Sequence, residues 1–153
     1  MVAKVFDIFD ELPPHVQSAF LKHAKVISYP PRGIIYCEGD SGTSMFRVFS
    51  GEVKLSVSRG DGRELYYVFL GPGDCFGESN WVDGLLRPQT AQATTDLKLQ
   101  VLPGCGIEAL MNAHPEFNLA MMRLLANHMR LLIDLCADAG LNDLAGRVAR
   151  RIV

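Results

Sequence analysis

Residues 34–62 read IIYCEGDSGTSMFRVFSGEVKLSVSRGDG, and this stretch decides the fold. Three short runs, Ile34–Cys37, Met45–Phe49 and Val53–Ser58, are separated by Glu38-Gly39-Asp40 and Ser50-Gly51 and closed by Gly60-Asp61-Gly62. Branched and aromatic side chains suit a pleated surface, while glycine beside Asp or Ser supplies the turns. Leu55 and Val57 alternate with Ser56 and Ser58, the pattern of a half-buried strand entering an Asp-Gly hairpin. The same texture extends in both directions. Val26–Tyr29 lies behind Pro30-Pro31-Arg32-Gly33, and Glu64–Leu70, Thr90–Thr95 and Leu97–Leu102 follow, with Gly71-Pro72-Gly73-Asp74 among them. Short strands with turn residues every 8–12 positions or so predict a sandwich or closed barrel over residues 26–104.

Helical periodicity flanks this region. Within residues 1–25, Val16, Phe20 and Ala24 recur at i+4 behind Pro13-Pro14. Residues 105–139 are again helical, most clearly from Glu116 to Ala139, where two apolar stripes run side by side. One is Phe117, Met121, Leu124, His128, Leu131 and Leu135; the other is Met122, Leu125, Met129, Leu132 and Cys136. Two stripes mean two surfaces to bury, one against the barrel and one against a partner chain. Gly140 closes this helix. Another is expected over residues 140–153, with Leu144, Val148 and Ile152 on one side and Arg147, Arg150 and Arg151 on the other. Such an arginine face suits solvent or phosphate.

Composition narrows the function classes. The chain has 153 residues, 48% hydrophobic and 21% charged, as in a soluble globular domain. Its net charge of −2 offers nucleic acid no general attraction. The longest apolar run, Leu65–Leu70, is far short of the roughly 20 residues a membrane helix needs. Asp7, Asp10 and Glu11 spoil a signal-peptide reading, so a cytoplasmic location is expected. Cys37, Cys75, Cys105 and Cys136 show no CxxC or CxxH spacing, and are expected as scattered buried thiols with no metal site. The histidines, His15, His23, His114 and His128, all lie outside residues 26–104. A cupin-like metalloenzyme would need histidines on the barrel strands, and a nucleophilic site would need a base there. No enzymatic activity is therefore expected.

The chemistry-bearing motif is Phe76-Gly77-Glu78, followed by Arg87, Thr90 and Ala91. Gly77 permits close backbone approach, and a short helix starting at Ser79 would point free N–H groups at an anion. Arg87 can neutralise a phosphate through charge-assisted hydrogen bonds. Glu78 can accept from a sugar hydroxyl while pairing with Arg87. Together these are what a small cyclic phosphate diester with a free ribose hydroxyl requires.

In context with Pro31-Arg32-Gly33-Ile34-Ile35-Tyr36, Glu38-Gly39-Asp40, Met45-Phe46, Ser50-Gly51 and Gly71–Glu78, the sequence resembles the cyclic-nucleotide-binding domains of the Crp/Fnr transcription regulators, from about Phe9 to the chain end. The resemblance implies a mainly β fold with flanking α: a double-stranded β-helix, or jelly-roll, barrel of eight strands plus a long C-terminal dimerisation helix over residues 116–139. Asp143–Ala149 resembles the first helix of that family's winged helix-turn-helix, so DNA contact is expected only through a C-terminal domain absent from this sequence. The stop at Val153 reads as a truncation.

The resemblance also implies the site. Gly77 and Glu78 match the backbone contact and ribose-binding carboxylate, with Ser79 beside them, Arg87 the phosphate-binding arginine and Thr90 its neighbouring hydroxyl. The implied effector is cyclic AMP or a related cyclic nucleotide, with no other cofactor. The partner is a second copy, meeting through Phe117, Met121, Leu124, His128, Leu131 and Leu135. Pro88 follows Arg87 where the family usually has a free N–H. The positions over the purine fall at Leu132 and Ile133, which offer neither donor nor acceptor. The Fnr-type N-terminal cysteine cluster is absent. The competing readings are a ligand-free barrel dimer, in which Glu78–Arg87 is an internal ion pair, and a sensor of a different effector.

Overall fold

The computed structural model describes residues 6–138, with the backbone alone for residues 65–67. The expected helix over residues 140–153, with its three arginines, lies outside the described residues.

Eight strands form two four-stranded antiparallel sheets. They are β1 (Lys25–Tyr29), β2 (Ile34–Tyr36), β3 (Met45–Ser50), β4 (Val53–Ser58), β5 (Glu64–Leu70), β6 (Cys75–Phe76), β7 (Thr90–Ala93) and β8 (Leu97–Leu102). One sheet runs β1-β8-β3-β6 and the other β2-β7-β4-β5, so successive strands repeatedly change sheet, as in a jelly-roll. Between the sheets lies a core of Tyr36, Phe46, Val48, Val53, Leu55, Leu70, Phe76, Ala91, Ala93, Leu97 and Leu99. β6 escapes sequence reading because two residues are too few to show a period. On β4 the expected alternation fails at its end, where Ser56 is buried and a register irregularity follows Val57. Gly51 turns β3 into β4 at φ +95°, and a Cβ there would stand 2.2 Å from the Asp96 carbonyl oxygen. Only glycine meets both conditions.

A helical layer closes one flank. A 3-10 turn (Ile8–Glu11) leads into α1 (Pro14–His23), whose Pro14 falls in the first turn where a missing N–H costs nothing. α2 (Glu78–Asp83) interrupts the strands, and α3 (Gly104–Ala113) and α4 (Pro115–Asp138) follow them. Ile8, Val16, Phe20, Ile107, Leu110, Phe117, Met121 and Leu124 make a second core, with Met45, Cys75 and Leu102 from the barrel. Arg47 on β3 binds Asp7 and Gln100, and Arg123 on α4 reaches Glu11 at 2.6 Å, which ties the N-terminal turn between barrel and helix.

The structure turns the first half of the stripe expected to meet a partner into the protein's own core. Phe117 and Leu124 are fully buried and Met121 nearly so, all within the protomer's own core. They have no surface left for a partner, and His128 turns to the barrel instead. Periodicity shows that two faces are apolar but not which one packs inward. The outward face carries Leu119, Met122, Met129 and Ile133, each exposed, while Leu131 and Leu135 are half-buried. The cysteines are unpaired, yet only Cys75 is buried, whereas Cys37 and Cys105 are exposed. No described helix is long and apolar enough to cross a membrane.

Candidate functional site

Gly77 is the pivot of the site. It caps α2 in the left-handed region at φ +82°, so the helix starts at Glu78, one residue earlier than expected. A Cβ at Gly77 would come within 2.9 Å of both the Arg87 guanidinium and the Phe46 ring. The position therefore requires glycine for conformation and for space.

Arg87 is 4% exposed. Its Nη1 donates to the Gly77 carbonyl at 2.8 Å and to Asn80 Oδ1 at 2.9 Å, and its Nη2 donates to the Ser44 carbonyl at 3.0 Å. The guanidinium stands 4.4 Å over the Tyr36 ring and 5.6 Å from Phe46. Phe46 and Phe76 stack at 5.0 Å, and Tyr36 leans on both, forming an aromatic floor beneath the cation. Every hydrogen-bond acceptor given to Arg87 is thus neutral, and its Nε is buried without a partner. Burial pushes its pKa down against the opposing influence of Tyr36, Glu78 and Asp40, although a guanidinium stays charged in water-accessible proteins. Burial also pushes the Tyr36 phenol up, which keeps it neutral.

Glu78 is 3% exposed and is not bonded to Arg87, contrary to expectation. Its Oε1 lies 2.6 Å from His128 Nδ1, and its Oε2 is buried without a partner. A carboxylate only accepts, so the Nδ1 facing it carries the proton and donates. Burial disfavours the imidazolium, but the hydrogen bond and charge of Glu78, joined by Asp74, prevail and raise the His128 pKa. The absence of histidine from the barrel sequence hid this residue, because it arrives from α4, 50 positions along the chain.

Thr90 sits on β7 and its Oγ1 accepts from the Glu38 N–H at 2.9 Å. With the backbone bonds Gly39 N–H to Arg87 carbonyl and Arg87 N–H to Asp40 carbonyl, both 2.8 Å, it seats the 38–40 turn beside Arg87. The Thr90 hydroxyl keeps its own proton to donate. Ser79 is half-buried in the first turn of α2. Leu132 and Ile133 are both exposed. Leu132 follows His128 by one turn on the same face, whereas Ile133 falls with Met129 on the outward seam. Asn80 is a further residue sequence reasoning missed: 2% exposed, its Oδ1 accepts from Arg87 while its Nδ2 donates to the Leu85 carbonyl at 3.0 Å. Its signal was weak, a lone amide three residues past Gly77.

The cyclic nucleotide-binding domain family matches residues 26–114, more than half of the chain. The chain is 27% identical over 146 residues to the CRP-like cAMP-activated global transcriptional regulator of Mycobacterium tuberculosis, covering 95% of this chain and 65% of that protein. It therefore spans about two thirds of that relative's length. The Thermus thermophilus catabolite activator protein superposes with a TM-score of 0.77 at 30% identity, over 90% of this chain and 62% of that one. The c-di-GMP responsive global regulator of Xanthomonas campestris shares the fold, with a TM-score of 0.74 at 21% identity over 92% of this chain and 70% of that one. With a barrel of this topology, a glycine-seated glutamate and a buried arginine inside the matched stretch, the chain belongs to the cyclic nucleotide-binding domain family.

Proposed function

We propose that the chain is the effector-binding and dimerising half of a DNA-binding transcription regulator, with a cyclic nucleotide as effector. The observation that carries this reading is a pair of buried, unmatched atoms around Gly77: a donor at Arg87 Nε and an acceptor at Glu78 Oε2. Each unmet buried polar atom costs about 1–3 kcal/mol, and this site holds two of the three such side-chain atoms among the described residues, the third being Asn118 Oδ1. A cyclic phosphate diester with a neighbouring hydroxyl answers both. Its anionic oxygen accepts from Arg87 and its hydroxyl donates to Glu78. Thr90 adds a hydroxyl donor toward the phosphate, and Leu132 lends apolar surface to the base.

Two relatives respond to different nucleotides by name, cAMP in Mycobacterium tuberculosis and c-di-GMP in Xanthomonas campestris. Arg87 and Glu78 read phosphate and sugar, which both kinds of ligand carry, so base identity is left to other contacts. The His128–Glu78 bond places the sugar-binding carboxylate in direct contact with α4. Leu119, Met122, Ala126, Met129 and Ile133 recur on the outward face at alternating spacings of three and four, the seam of a coiled-coil pair, and a second copy of the chain covers it.

Calorimetric titration with cyclic AMP, cyclic GMP and c-di-GMP tests the ligand. At least one is expected to bind, and to raise the unfolding midpoint by about 5–10 °C at hundredfold excess over Kd. Binding of none would leave the ligand-free dimer as the better reading. Sedimentation at tens of micromolar should show a dimer that Met129→Lys converts to monomer, while Leu124→Lys should fail to fold.

A further inference from the structure

Three metal-ligating side chains meet far from Arg87 and Glu78. His15 lies in the first turn of α1, His114 caps α3, and Glu116 lies in the first turn of α4. One ligand atom from each lies within 4.8 Å of the others. Three atoms so placed stand within about 2.8 Å of a common point, so small rotamer adjustments bring all three to the roughly 2.0–2.2 Å of a zinc–ligand bond. The two imidazole rings already touch edge to face at 5.7 Å between centroids. Among the described residues, none of the three side chains has another hydrogen-bond partner.

The scaffold beneath them is rigid. His15 precedes Val16, and His114 and Glu116 flank Pro115 just before Phe117; Val16 and Phe117 are both 0% exposed. The His114 N–H bonds to the Leu110 carbonyl at 2.8 Å, and the Phe117 N–H bonds to the His114 carbonyl at 3.0 Å. Ligands held next to buried anchors lose little freedom on binding.

We propose that His15, His114 and Glu116 form a binding site for a divalent transition metal of the zinc class, a staple between the start of α1 and the α3–α4 corner. Two imidazoles and one carboxylate suit Zn²⁺, Co²⁺ or Ni²⁺ and disfavour Mg²⁺, which prefers an oxygen shell. Water completes the coordination, because His15 and Glu116 face solvent. Glu116 also offsets the positive end of the α4 dipole, which would otherwise oppose a cation there.

The test uses the whole chain, stripped of metal with a chelator and titrated with ZnCl₂, with MgCl₂ as the contrast. One Zn²⁺ per chain is expected, with an unfolding midpoint raised by about 5 °C at hundredfold excess over Kd, and no response to Mg²⁺. Co²⁺ should give visible absorption bands of a four- or five-coordinate ion. His114→Ala and Glu116→Gln should each weaken Zn²⁺ at least tenfold, while a Cys37→Ser, Cys105→Ser double variant should leave it unchanged. Two results would overturn the site: no stoichiometric binding at 100 μM-order zinc, or binding that survives in His15→Ala and His114→Ala and disappears with the exposed cysteines.

Discussion

Two arginines of the barrel stand over aromatic rings in nearly the same way and have opposite surroundings. Arg47 lies 4.1 Å over Phe9, and Arg87 lies 4.4 Å over Tyr36. Arg47 is completed by the protein itself: its Nε and Nη2 grip the Asp7 carboxylate and its Nη1 takes Gln100 Oε1 at 2.8 Å. Burial works against its charge, but Asp7 more than compensates and its pKa is raised. Arg87 receives only neutral acceptors, keeps one buried donor unmatched, and has its pKa lowered. The carboxylate fork makes Arg47 a tie of the fold, whereas the neutral surroundings of Arg87 are what the proposed anionic ligand would complete.

The largest expected effects separate these two roles directly. Arg47→Leu strands Asp7 and Gln100 and frees the N-terminal turn, so a loss of about 2–4 kcal/mol is expected in denaturant unfolding. Its cyclic nucleotide affinity, measured at a temperature where it is folded, should change less than about threefold. Arg87→Leu should behave the other way, weakening the nucleotide roughly 10- to 100-fold by calorimetry while costing the ligand-free protein less than Arg47→Leu does. Equal stability losses with unchanged affinity would erase the distinction between the two arginines.

A smaller effect concerns what Arg87 does not read. Leu132 carries no polar group for a purine edge, so cyclic AMP and cyclic GMP should differ by about tenfold or less in Kd. Sharper discrimination would mean that a barrel group other than Arg87 and Glu78 reads the base.

The smallest effect belongs to Glu78, whose carboxylate answers to His128 rather than to either arginine. The folded His128 pKa is raised above its ordinary 6.5, against burial, by Glu78 and then Asp74, with the Cys75 backbone adding to it. The stabilisation is therefore fully present below about pH 6.5 and is lost as pH rises through the folded-state pKa. Unfolding between pH 6 and pH 9 should show wild type losing more stability than His128→Gln, the variant serving to subtract other titrating groups. Parallel curves would mean that the Glu78–His128 contact does not respond to its proton.

Every strand but β6, and the turns between them, were legible in the sequence because each rests on local pattern, and so was the Gly77-Glu78 motif as a candidate. Alternation, turn glycines and a short motif are properties of neighbours along the chain. The tertiary structure alone decided how those residues are matched. It turned Phe117, Met121 and Leu124 inward and left Met122, Met129 and Ile133 outside, since two adjacent helical stripes are equivalent until a barrel packs on one of them. It gave Glu78 to His128 and left Arg87 with neutral oxygens, and it gathered His15, His114 and Glu116 at one corner. The pairings of Glu78 with His128 and of His15 with His114 join residues about 50 to 100 positions apart, and no periodicity encodes them. They follow from which surfaces the hydrophobic cores bring together.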